Sequence, residues 1–162
     1  MVLNTDRFGE IVVDAEKIIT FPSGILGFEK YKRYILLHEK NSIFSFLQCI
    51  DEPELAFVVI MPELIKPDYH VTLEAKHVQD LKLEDAKDGS VYGIVTIPEN
   101  VADMTINLQA PLVINNKQKL GKQVVLTDSD YRIRHNVLAE LQKSKFEQEK
   151  KWKLKEVRSQ SV

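Results

Sequence analysis

At 162 residues, 44% of them hydrophobic and 28% charged, the chain has the size and composition of one globular domain and is too apolar for wholesale disorder. A single cysteine, Cys49, excludes an internal disulfide, and no apolar run approaches the roughly 20 residues that a membrane-spanning helix needs. The formal net charge of -2 hides an uneven spread: residues 39 to 103 carry 13 Asp or Glu against 5 Lys or Arg, whereas residues 143 to 158 carry 7 Lys or Arg against 3 Glu. An acidic body with a basic tail suits a basic partner better than it suits a coat of nucleic acid.

The N-terminus, Met1 to Arg7, lacks a basic region followed by an apolar stretch, so neither export nor membrane insertion is expected. From there to residue 126 the chain reads as a procession of short strands. Runs at 2–5, 10–13, 17–21, 34–38, 43–50, 56–61, 70–73, 91–97 and 104–108 are rich in β-branched and aromatic residues and are punctuated by Gly, Pro, Asn and Asp. Cys49 lies inside the apolar run 43–50, which reads as a buried, reduced thiol rather than a nucleophile. Residues 74 to 83 place apolar side chains at 75, 78 and 81, the spacing of a short helix.

The stretch from Asn107 to Leu126 reads as a β-hairpin, with Leu112-Val113-Ile114 and Val124-Val125-Leu126 as its strands. Asn115, Asn116 and Lys117 are expected to supply the positive φ of its turn. Pro111, with no amide hydrogen, belongs at the strand's start or edge, and Gly121 marks a bulge or a close backbone approach. After Thr127-Asp128-Ser129-Asp130, a capping sequence, apolar residues 137, 138 and 141 suggest a helix, and from 142 polar residues dominate around an isolated Trp152. The predicted fold is therefore mainly β, a small antiparallel barrel-like or sandwich domain with one short helix over residues 1–141, followed by a charged helical or flexible tail over 142–162.

Catalytic signals are sparse. Phosphate-cradling glycine motifs and Cys-x-x-Cys are absent, and His38, His70, His77 and His135 are scattered, so neither metal nor cofactor is implied. Asp51-Glu52 and Glu84-Asp85 could serve a small β-barrel enzyme only if carboxylates were assembled across the fold, because neighbours on a strand point to opposite faces. Lys150 to Lys155, interleaved with Trp152, offers a nucleic-acid reading, which the acidic body opposes. Recognition by surface remains, and residues 46 to 57 stand out: two apolar strands flank a turn bearing Asp51, Glu52 and Glu54, which would attract a basic protein.

Three blocks in register resemble the FliW family of flagellar assembly factors. Phe21-Pro-Ser-Gly-Ile-Leu-Gly-Phe-Glu29 is similar to the family's Phe-Pro-x-Gly-(Leu/Ile)-x-Gly-Phe-Glu segment; Phe46-Leu-Gln48 with Asp51, Pro53, Leu55 and Phe57 resembles the next block; and Asn107-Leu-Gln-Ala-Pro-Leu-Val-Ile-Asn115, then Gly121, Gln123 and Tyr131 to Arg134, resembles the third. The departures are Cys49, where a small residue such as Ser is expected, and the long charged tail. The resemblance implies a monomeric, cytoplasmic, non-enzymatic β protein that binds the C-terminal helical region of flagellin. When flagellin is drained by secretion, such a protein binds the RNA-binding regulator CsrA and relieves its repression of flagellin translation, with no direct nucleic-acid or membrane contact. On that reading Phe46, Leu55, Phe57 and Leu112 would line an apolar groove for flagellin, and Asp51, Glu52 and Glu54 would face CsrA.

Overall fold

The computed structural model describes residues 1–127 and 129–147. Its core is a closed barrel of seven strands: β3 (Ile19–Thr20), β4 (Arg33–His38), β5 (Phe44–Cys49), β6 (Ala56–Ile60), β7 (Gly89–Thr96), β9 (Leu112–Asn115) and β10 (Leu120–Gln123). Every neighbouring pair in the ring is antiparallel except the closing one, where β10 meets β3 in parallel through Leu120 and Thr20. Alternation along the strands sends Tyr34, Leu36, Leu47, Cys49, Phe57, Val59, Tyr92, Leu112 and Ile114 inward, where they meet Phe21 and Ile25.

The outward positions of the same strands are also apolar, because the barrel wall is covered. A separate hairpin, β1 (Val2–Thr5) with β2 (Gly9–Val12), packs Leu3, Ile11 and Val13 on Ile35, Leu37 and Ile50. Over β6 and β7, Ile65 and Tyr69 join Met104, Ile106, Leu108 and Val137 against Val58, Ile60 and Val95. Val71, Leu73 and Leu81 at the end of α1 (Ala75–Asp80) cover Val113, Val124 and Leu126. Strands sandwiched in this way read as continuous apolar runs rather than alternating ones, which is why Ala56-Phe-Val-Val-Ile60 is unbroken.

The block from Asn107 to Pro111 changes the register of the wall. Val95 opposes Ile106 on β8 (Thr105–Ile106), and Tyr92 opposes Leu112, so β7 advances three residues while its partner chain advances six. The surplus forms a bulge. Asn107 Oδ1 closes it by accepting the amides of Gln109 (3.1 Å) and Ala110 (3.0 Å), and the Arg132 carbonyl accepts those of Leu108 and Gln109 from outside.

Several expectations need correction. The hairpin's second strand is Leu120–Gln123, not 124–126, yet the pairing runs on: the amides of Val124 and Leu126 donate to the carbonyls of Pro111 (2.9 Å) and Gln109 (2.8 Å), and Pro111 has no amide to return. The positive φ in the turn belongs to Lys119 (54°), while Asn115 Oδ1 accepts from the amides of Lys117 and Gln118. Gly121 is a close approach, without a bulge: a Cβ there would sit 2.4 Å from Cζ of the Phe21 ring. Residues 70–73 form no strand, and the run 17–21 begins as a one-turn helix, Ala15–Lys17, capped by Asp14, which leaves β3 only two residues. The last helix is not capped by Ser129 or Asp130. Those residues lead into β11 (His135–Asn136), and Asn136 Oδ1 accepts the Ala139 amide (2.9 Å), so helical residues begin at 137 and continue to 147, the last residue described. Leu141 packs on the wall, and the rest of the predicted tail, with Trp152, lies outside the described residues.

Candidate functional site

The turn joining β5 to β6 is shaped from below by Gln48, which is wholly buried. Its amide nitrogen lies 3.0 Å from the Cys49 carbonyl and 3.1 Å from those of Pro53 and Leu55, so one side chain gathers both ends of the turn. The Leu55 amide returns to the Glu52 carbonyl at 3.0 Å, and the Asp6 amide, at the tip of the β1–β2 hairpin, donates to the Pro53 carbonyl. A recess of about 380 Å³ separates the two hairpins, lined by Asp6, Arg7, Gln48, Pro53, Glu54 and Ala56.

The three carboxylates do not behave alike. Asp51 makes a two-pronged contact with the Arg33 guanidinium (2.5 and 3.2 Å), which lowers its pKa below the ordinary carboxylate range and leaves it partly neutralised. Glu52 and Glu54 have no ion-pair partner among the described residues, and Glu54 is exposed. The acidic end is therefore carried by Glu52 and Glu54.

The four apolar residues expected to share one groove do not meet. Phe46 opposes Val58 and Phe57 opposes Leu47, so Phe46 and Phe57 stand on opposite faces of the wall. On the outer face Phe46 is half-buried, with Phe8 edge-on at 5.0 Å and the Arg7 guanidinium at 5.1 Å. Leu55 and Phe57 point inward at the barrel mouth. Leu112 is 0% exposed in the core and presents no surface to a partner. Leu55 and Phe57 are thus the two that stand together, half-buried beside the acidic turn, with Phe46 half-buried on the other face.

Sequence reasoning overlooked their neighbours. Phe28 meets Phe57 edge-on (5.1 Å), and Leu26 and Phe28 stand exposed on the loop between β3 and β4, at the same mouth. Their apolarity was visible in the Phe21–Glu29 block; their exposure was not, because large apolar residues are usually buried.

A larger cleft, about 920 Å³, lies on the side of the barrel between the segments 66–77 and 124–135 and is lined by His70, His77 and His135. His135 is fully committed: its Nε2 accepts the Arg132 amide (2.9 Å), so the hydrogen sits on Nδ1, facing Glu140 (3.3 Å). Burial, with Lys122 and Lys76 nearby, lowers the His77 pKa. No cluster of three metal-ligating side chains exists among the described residues, and no described helix is long and apolar enough to cross a membrane.

Residues 2–137 match the model of the FliW protein family. A flagellar assembly factor FliW of Alkaliphilus metalliredigens is 46% identical over 145 residues, covering 88% of this chain and 90% of the relative. Another, of Ruminiclostridium cellulolyticum, is 39% identical over 145 residues, covering 88% and 98%. The crystal structure of a flagellar assembly factor FliW superposes with a TM-score of 0.80 at 35% identity, over 85% of this chain and 96% of that one. The three sequence blocks mark the mouth loop, the acidic turn and the bulge of one barrel, and with these likenesses they establish that the chain belongs to the FliW family.

Proposed function

We propose that the chain is a non-enzymatic flagellar assembly factor that binds the C-terminal region of flagellin and, when free of it, binds CsrA and antagonises its repression of flagellin translation. Family membership over the whole barrel carries the reading: the relatives are named as flagellar assembly factors. Two physical features support it. The β5–β6 turn presents Glu52 and Glu54 to a basic RNA-binding regulator, and the adjoining mouth carries half-buried Leu55 and Phe57 and exposed Phe28, a surface that suits an apolar helix face.

The enzymatic alternative asks for a carboxyl group kept protonated near neutrality beside an ionised one. Among the described carboxylates, those with displaced pKa values, Glu29, Asp51 and Asp80, are all displaced downward by hydrogen bonds or cations. The deciding experiment is size-exclusion chromatography of the purified protein mixed separately with the C-terminal part of flagellin and with CsrA. Co-migration with each is expected; failure with both defeats the proposal. Charge reversal of Glu52 and Glu54 to Lys should weaken the CsrA complex at low salt and leave the fold intact.

A further inference from the structure

The side cleft between residues 66–77 and 124–135, at about 920 Å³, has the volume of a small-molecule site. Leu73, Val124 and Leu126, which pack in one apolar cluster, give it an apolar floor, and Tyr131, held against Tyr69 with ring centroids 4.5 Å apart, adds an aromatic wall. Two polar atoms of this lining are buried without a hydrogen-bond partner among the described residues: Nδ1 of His77, a side chain only 8% exposed, and Oγ of Ser129. Folded chains leave few buried polar groups unpaired, because each forfeits its hydration for nothing. Only four such atoms occur among the described residues, and half of them fall in this one cleft. The neighbours that could have answered them are engaged elsewhere. Tyr131 Oη accepts the His70 amide at 3.4 Å, and the His135 ring is committed to Arg132 and Glu140.

Charge narrows the ligand. Three carboxylates line the cleft, Asp68, Glu74 and Asp130, against one ammonium, Lys66. Lys66 is already shared between Asp68 (3.4 Å) and Glu140 (3.9 Å). The two cations nearest His77, Lys76 and Lys122, are paired with Glu74 (3.7 Å) and Asp80, and burial together with their field keeps the His77 ring neutral near pH 7. Asp130 is exposed and makes no ion pair among the described residues, and the Glu74 pair is exposed and therefore weak. A phosphate or carboxylate ligand would meet surplus negative charge here. A protonated amine meets acceptors instead: the rim carboxylates, the Ser129 hydroxyl, and Nδ1 of a neutral imidazole that carries its hydrogen on Nε2. We infer that the cleft binds a small aliphatic polyamine, with ammonium groups on Asp130 and Glu74, an inner amine on His77 and Ser129, and methylenes over Leu73, Val124 and Leu126. Such a ligand bridges two segments of the fold, so its binding stabilises the native state.

The test is calorimetric titration of the full chain with spermidine near neutral pH and at low salt, accompanied by thermal melting and by NMR of the His77 ring. Saturable binding, a raised melting temperature and displaced His77 ring signals are expected. A Glu74→Gln/Asp130→Asn double variant exchanges exposed carboxylates for amides, and Glu74 makes no side-chain cap to α1, so the melting temperature without spermidine should be unchanged. Its spermidine affinity should fall about fivefold or more. Glu99→Gln, an exposed carboxylate elsewhere, serves as the control and should bind as the native chain does. Magnesium chloride at matched ionic strength separates a fitted ligand from charge screening. Absence of saturable binding overturns the inference, as does an equal response to magnesium. Undiminished affinity in the double variant, or binding that leaves the His77 signals in place, overturns the assignment to this cleft.

Discussion

Gln48 offers a direct test of how the acidic turn is built. A Gln48→Met substitution keeps the length and apolar volume of the side chain and deletes its amide. Three carbonyls, of Cys49, Pro53 and Leu55, sit within 3.1 Å of the nitrogen, yet an amide has two hydrogens, so two full bonds are at stake. Each buried bond contributes about 1 kcal/mol net, and the freed carbonyls add part of a desolvation cost. Against this, Gln48 Oε1 is buried without a partner among the described residues, and removing it returns something. The balance is a loss of about 2 kcal/mol, or about 4–8 °C in melting temperature for a domain of this size. Urea unfolding measures the loss, and amide hydrogen exchange over residues 51–55 locates it. A loss below about 0.5 kcal/mol with unchanged exchange in the turn would refute the view that Gln48 organises it.

Gly121→Ala should destabilise the barrel by about 1–3 kcal/mol, read in the same urea assay, because the new methyl lands on the buried Phe21 ring; a second substitution, Phe21→Leu, should recover part of the loss. His77 is buried with its pKa below the ordinary value of about 6.5, so the unfolded chain binds its proton first. Stability should therefore fall as pH drops from that ordinary value through the depressed one, and His77→Gln should flatten the slope; an identical pH profile would count against it. Cys49 is 0% exposed and its thiol pKa is raised, chiefly by burial, so an aromatic disulfide reagent at mildly alkaline pH should label it only on unfolding. Rapid labelling of the native protein would show that the barrel interior opens.

Most strands were legible because β-branched runs broken by turn residues need no tertiary information; β4, β5, β6 and β7 stand within two residues of their predicted limits. What failed depends on partners distant in sequence. Residues 70–73 look like a strand but find no neighbour to pair with, and β3 shrinks because Asp14 caps a helical turn at its start. At the site, the order of residues 46–57 gave the turn and its charges correctly. It could not tell that Arg33 would occupy Asp51, nor that Phe46 and Phe57, eleven positions apart, would take opposite faces, because that parity depends on the register in which β5 meets β6. Exposure of Leu26 and Phe28 was equally hidden, since two glycines within an apolar block do not announce which way it points.

The parallel contact of Leu120 with Thr20 has a meaning for synthesis. A chain made from its N-terminus exposes β3 long before β10 leaves the ribosome, and for that interval the wall is an open sheet with a bare edge. Only the last strand of the ring can seal it, and it arrives after the acidic turn and the mouth loop have already been made. The mouth loop is tied down only then, since Gln123 Oε1 accepts the Leu26 amide. Chains that stop short of β10 would thus lack both a sealed barrel and the bond that ties down the mouth loop, so an unfinished chain cannot set the exposed apolar residues of that loop in their final place.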